Sequence, residues 1–241
     1  MPIKRPQLVS GEIYHIVVRG VEGRSIFQEI SDYYRAIHDL FEFNDEAPAA
    51  WQHRSFYNLY EDGPRSIGNR VGDRGWKKKP RKLLVKILAF CLMPNHIHLL
   101  LHQREDQGIT RFMRKLGTGY ALYFNKKYQR QGYLFQGRFR AILIKTNEQL
   151  EHVFVYIHTN PASLVDAGWK EGKVKDPAKV INTIENYRWS SYMDYLGKEN
   201  FPSVTQRDFF NKIMPRVEWQ KFVNDWVRYK SIKEFADIIL E

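Results

Sequence analysis

Apolar and polar positions alternate along "GEIYHIVVRG" (11–20), with β-branched residues on both phases, and the pattern predicts a strand ending at Gly20. In "SDYYRAIHDLFEF" (31–43) the period changes. Tyr34, Ile37, Leu40 and Phe41 recur at helical spacing, and Ser31 is the expected N-cap. The pattern then lapses over 44–82, a stretch that contains "NRVGDRGWKKKPRK" (69–82) and reads as an exposed basic loop or insertion. "KLLVKILAFCLMP" (82–94) is a long apolar strand, halted where Pro94 can no longer donate to a ladder. "HIHLLLHQ" (96–103) is a second strand, which makes Pro94-Asn95 a turn or bulge. Ile109, Phe112, Met113, Leu116, Tyr120 and Phe124 form the inward face of a helix over 109–129, in which Gly117 and Gly119 weaken the helix or admit a close neighbour. "QGYLFQGRFRAILI" (131–144) is a glycine-punctuated loop leading into a strand. "TNEQLEHVFVYIHTNP" (146–161) opens with the capping pair Thr146 and Gln149 and closes at Pro161. Helical segments are expected over 205–215 and 217–240.

The order β-α-β-β-α-β-α predicts an α+β, ferredoxin-like (split βαβ) antiparallel sheet with helices on one face and a C-terminal helical tail. The expected division is one main domain over 1–200, interrupted by the basic insertion at about 44–82, and a helical extension over 201–241.

Composition narrows the class. Of 241 residues, 43% are hydrophobic, enough for a sizeable core, yet no apolar run approaches the roughly 20 residues that span a bilayer. The start, "MPIKRPQLVSG", lacks an apolar leader segment, and the single cysteine, Cys91, excludes an internal disulfide framework and a cysteine-based zinc site. A cytoplasmic protein with no membrane partner is expected, located at the nucleoid if its partner is DNA. Lys and Arg number 38 against 27 Asp and Glu, and the net charge of +11 favours a polyanionic partner such as nucleic acid.

Candidate chemistry lies in "MPNHIHLLL" (93–101). Residues two apart on a strand share a face, so the imidazoles of His96 and His98 can converge on one cation while Ile97 and Leu99 face the other way. Two ligands do not complete a site. On the helix over 147–160, residues four apart share a face, and one face carries His152, Tyr156 and Asn160. A tyrosine one turn before an amide oxygen donor suits a nucleophile beside a metal ligand. Spacing equally permits a half-buried aromatic at Tyr156 and a helix-capping amide at Asn160.

Several stretches occur together and in a known order: "YHIVVRG", "MPNHIHLLL", "YFNKKYQRQGYLFQGRFRAILI", "YIHTNP" and "YRWSSYMDYLG". Over roughly residues 8–200 they resemble the HUH single-tyrosine transposases, in the REP-associated tyrosine transposase branch. The resemblance implies that His96, His98 and Asn160 hold a divalent metal and that Tyr156 is the nucleophile. It points to Mg²⁺ or Mn²⁺, and manganese also suits a donor set of two imidazoles and an amide. The implied activity is metal-dependent cleavage and rejoining of single-stranded DNA through a 5′-phosphotyrosine, with hairpin (palindromic) DNA as partner. Tyr120 and Tyr123 are rival tyrosines, but Phe124 and Lys127 stand where an amide ligand would follow them. His152 is a candidate for assisting deprotonation of Tyr156, although a solvated position suits it better.

DNA contacts are expected from Arg111, Arg114, Lys115, Lys126 and Lys127 on one helix, from Arg138 and Arg140, and from Lys77, Lys78 and Lys79 in the insertion, with Trp76, Tyr133 and Phe135 available to stack on bases. With one nucleophile per chain, strand exchange needs either a homodimer or repeated use of one site. Two other readings remain at this point: a nucleic-acid-binding protein without catalysis, and a metal-dependent phosphodiesterase in which Tyr156 is structural.

Overall fold

The structure, a computed structural model, describes residues 6–47, 81–212 and 216–229. Four antiparallel strands, β1 (Ile13–Arg19), β2 (Val85–Met93), β3 (His96–Gln103) and β4 (Arg140–Ile144), form one sheet in the order β2-β3-β1-β4. Helices α1 (Ile30–Glu42) and α2 (Gly108–Lys127) connect them as a split βαβ requires. The expected α+β, ferredoxin-like sheet is present, and Pro94-Asn95 forms the turn between β2 and β3.

One expectation is corrected: helices cover both faces, not one. Tyr14, Ile16, Ile97, Leu99 and Leu101 pack with α1 and α2 on the first face. Leu88, Cys91 and Leu100 pack on the second with α3 (Asn147–Thr159), α4 (Pro177–Asn186) and α5 (Tyr192–Tyr195), joined by α6 (Asp208–Asn211) and α7 (Arg216–Tyr229). The physical reason is that β2 is apolar on both phases and β3, though it carries histidines on one of them, is buried on both. Of the described part of the expected 201–241 extension, Phe210, Trp219, Val223 and Trp226 are buried in this second layer with Val153 and Phe154, whereas Phe201 and Val204 belong to the first. The 44–82 insertion falls largely outside the described residues, and with it Trp76, Lys77, Lys78 and Lys79.

Local chemistry sets the element ends. The N-cap of α1 is Glu29 rather than Ser31, because the Asp32 carboxylate turns back to accept the backbone N–H groups of Gln28 and Glu29 at 2.8 and 3.0 Å. Thr146 caps α3 as expected, accepting from the Gln149 N–H at 3.1 Å. In α2, Gly119 admits the Phe43 ring against its backbone, where any Cβ would collide, which is how α1 and α2 approach so closely.

The stretch "YRWSSYMDYLG" completes the second layer. Leu92 N–H donates to Trp189 O (2.8 Å) and Ser191 N–H to Phe90 O (3.0 Å), so this segment pairs with the outer edge of β2. Ser191 Oγ lies 2.8 Å from His158 Nε2 on α3. Burial drives the His158 pKa down to about 3, so this histidine is a neutral core group and a clamp between α3 and the sheet edge.

Candidate metal centre and nucleophile

β3 and β1 are the two central strands, and their register decides which side chains meet. His98 stands opposite Val17, His96 opposite Arg19, and Leu100 opposite His15. Because side chains alternate, His15, Arg19, His96 and His98 share the second face of the sheet. His98 and His15 are fully buried and His96 nearly so. The rings of His96 and His98 meet edge to face with centroids 4.7 Å apart.

Helix α3 crosses this face. Its apolar residues Leu150, Val153, Phe154 and Ile157 bury into the second layer and turn Tyr156 toward the histidines. The Tyr156 ring lies edge-on to His98 at 5.5 Å and to His15 at 5.8 Å between centroids. Asn160 follows one turn later, where α3 tightens into a 3-10 turn (Asn160–Leu164) instead of ending at Pro161. Its Nδ2 donates to the Tyr156 carbonyl at 2.8 Å, which assigns the carboxamide oxygen as the acceptor side of that group. One chain therefore brings His96, His98 and Tyr156 together, with Asn160 anchored to the tyrosine's own backbone.

The donor set fits a divalent cation. His96 Nδ1 lies 2.6 Å from Asn95 Oδ1, and His98 Nδ1 lies 3.0 Å from His15 Nε2, so each imidazole is held through Nδ1 and Nε2 is the atom that would meet a cation. Among the described residues no three His, Cys, Asp or Glu side chains gather as a metal site, so the candidate set is two imidazoles plus the Asn160 oxygen.

The rival tyrosines are on the wrong side of the sheet. Tyr120 is fully buried in the first layer, where its hydroxyl donates to Ile26 O at 2.6 Å. Tyr123 donates to Asp32 at 2.8 Å. Burial, with Asp32 close by, pushes both phenols well above the ordinary tyrosine range. Tyr120→Phe should therefore lower stability by about 1–2 kcal/mol, through the Ile26 carbonyl left without its donor, and leave DNA cleavage intact. Thermal melts beside a cleavage assay would check both halves.

His152 is corrected. It is not solvated: it is buried under α7, its ring 5.3 Å from Trp226 and 6.1 Å from Phe222, with Glu148 3.7 Å away. Three of the expected DNA-contacting cations are engaged internally. Lys127 binds the buried Asp32 at 2.7 Å and Glu29 at 3.1 Å. Asp32 is pushed up by burial, but hydrogen bonds from Lys127 and Tyr128 outweigh this and hold it below the usual carboxylate range. Lys115 donates to the backbone carbonyls of Asp45 and Ala47, and Arg111 pairs with Glu105 at 2.8 Å.

Arg114, Lys126, Arg138 and Arg140 are exposed. Arg138 and Arg140 line a small cleft with Val17, Arg19 and Gln136, beside His96. On the other face a groove of about 600 Å³ is lined by Arg114, Tyr133, Phe135 and Arg138, with Tyr133 88% exposed. Two residues of the site were missed from sequence, His15 and Arg19. Both sit within "YHIVVRG", on the same phase of the strand alternation, and only the β1–β3 register shows what that phase faces.

Residues 76–160, which include both histidines, Tyr156 and Asn160, match the family model described as "Transposase IS200 like". A solved structure described as "Structure of the REP associates tyrosine transposase bound to a REP hairpin" is 16% identical, with 84% of this chain and 90% of that chain covered and a TM-score of 0.47. No curated protein matched the chain in sequence. Among the described residues, no helix is long and apolar enough to cross a membrane.

Proposed function

We propose that this protein is a transposase that cleaves and rejoins single-stranded DNA through a covalent bond between Tyr156 and a DNA 5′ phosphate. The observation that carries the reading is the Tyr156 ring set edge-on to His98 at 5.5 Å within one chain. The match of residues 76–160 to the transposase family supports it. In the step, Tyr156 Oη forms a bond to phosphorus, the bond from phosphorus to the 3′ oxygen breaks, and that oxygen leaves as a 3′ hydroxyl. The phosphotyrosine keeps the energy of the broken diester, so an incoming 3′ hydroxyl can reverse the step without a nucleotide cofactor.

His96, His98 and Asn160 would hold the divalent cation, Mn²⁺ or Mg²⁺. When bound, it supplies polarisation of the scissile phosphate and stabilisation of the charge that builds on the equatorial oxygens. The chain's own part is positional. The sheet fixes the two imidazoles, α3 fixes the phenol, and the Asn160 hydrogen bond to Tyr156 O ties amide and nucleophile to one helical turn. A free phenol has a pKa of about 10, so the nucleophile must lose its proton in the assembled site. Since both halves come from one chain, one copy suffices for one cleavage; exchange of two strands takes a second copy or a second round.

The substrate we propose is single-stranded DNA with a hairpin, the class of partner that the resemblance of the sequence motifs implies. Backbone phosphates would lie along Arg19, Arg138 and Arg140, and bases beside Tyr133 and Phe135 in the groove on the other face. Alanine at any one of the three arginines should make binding less salt-dependent. The slope of log K against log salt concentration should fall by about 0.7 for each phosphate that is no longer neutralised. Slopes unchanged in all three variants would move the DNA path elsewhere.

The deciding experiment is incubation with a labelled hairpin-bearing oligonucleotide and Mn²⁺. The expected product is a denaturation-resistant protein–DNA adduct that maps to Tyr156 by peptide mass. Binding without an adduct would favour a non-catalytic binding protein. Cleavage with no adduct would favour an ordinary phosphodiesterase.

A further inference from the structure

We propose that His15 is a positioning residue for the cation site: it accepts the Nδ1 proton of His98 and so fixes the tautomer whose Nε2 lone pair is offered to a divalent cation. This rests on the reading of His96, His98 and Asn160 given above. His15 Nε2 and His98 Nδ1 are 3.0 Å apart, and both rings are fully buried. Two neutral imidazoles at that distance share one proton, which leaves two arrangements. If His15 donates, the His98 proton sits on Nε2 and blocks that atom as a ligand. If His98 donates, Nε2 carries the lone pair. Only the second arrangement is compatible with a metal at His98.

The neighbouring imidazole shows the same device from a different source. His96 Nδ1 lies 2.6 Å from Asn95 Oδ1, and Asn95 Nδ2 donates to Gly23 O at 3.2 Å, which assigns the oxygen to the histidine side. A carboxamide oxygen only accepts, so His96 Nδ1 is the donor and its Nε2 holds the lone pair. The two imidazoles are thus set through the same atom, one by the β2–β3 turn and one by β1, in the manner that acceptors behind metal-binding histidines commonly act. His15 acts through His98 rather than as a third imidazole ligand: its Nε2 is spent on His98, and no three-residue His, Cys, Asp or Glu site exists among the described residues. Its strand position also needs explaining, since β1 buries Val17 and Val18 nearby and an aliphatic residue would fill position 15 without a polar atom to satisfy.

Two measurements on the full chain test this. Long-range ¹H–¹⁵N correlation spectra of the metal-free protein should show the His98 proton on Nδ1; a proton on Nε2 would overturn the proposal without any mutation. Mn²⁺ titration followed by electron paramagnetic resonance should show affinity falling about 10–100-fold in His15→Leu. His15→Gln, whose Oε1 keeps an acceptor near the same place, should recover to within a few-fold of the parent. Wild-type affinity in His15→Leu, or equal losses in both variants with the fold intact by circular dichroism, would defeat it. If the parent chain binds no Mn²⁺, the cation reading itself fails, a result distinct from an adverse His98 tautomer.

Discussion

Tyr156→Phe should leave the protein folded and able to bind hairpin DNA, and unable to become joined to it. The substitution removes one oxygen and keeps the ring. The ring contributes the packing here, edge-on to His15 and His98, while α3 is anchored elsewhere by Val153, Phe154 and Ile157 in the second layer. Stability should therefore change by about 1 kcal/mol or less. Catalysis has no such substitute. The tyrosines of α2 lie across the sheet, bound to Ile26 O and Asp32, and neither can reach a phosphate held at His96 and His98. Loss of a covalent nucleophile should lower strand cleavage by at least about a thousandfold, with water the only remaining attacker. A denaturing gel with DNA labelled on either side of the cut measures both adduct and cleavage. An adduct that persists in Tyr156→Phe would assign the nucleophile to another residue.

β1 was legible from its period of two and β2 from an unbroken apolar run halted at Pro94, and the shared face of His96 and His98 followed from strand alternation. Tyr156 and Asn160 followed from helical spacing together with family resemblance, though spacing alone left a structural role open for each. His15 was not legible. A single histidine in a β-branched strand carries no signal until the register places β1 beside β3 and brings it to His98 from 83 positions away in sequence. Lys127 failed in the opposite direction. It belongs to a basic helix surface by composition, yet its partner Asp32 lies on another helix, and pairing of that kind is tertiary information. The second helical layer was foreshadowed in "KILAFCLM", whose lack of alternation already implied burial on two faces.

The second large effect should come from the paired histidines, and the two should not behave alike. His96→Ala and His98→Ala should each abolish measurable Mn²⁺ binding and reduce cleavage at least about a hundredfold, while hairpin DNA still binds through the arginines. Their structural costs should differ. His98 is fully buried, and its removal leaves a cavity and takes the partner from His15 Nε2, a loss of about 2–3 kcal/mol. His96 is 7% exposed at the end of β3 and is held by the adjacent Asn95, so its removal should cost nearer 1 kcal/mol. His96→Ala is consequently the cleaner test: a protein folded at working temperature, competent for DNA and silent toward Mn²⁺. Calorimetric melts, Mn²⁺ titration and DNA binding on the same preparations separate these contributions. Undiminished Mn²⁺ affinity in His96→Ala would place the cation away from the sheet, and the roles of His98, Asn160 and His15 would have to be reassigned with it.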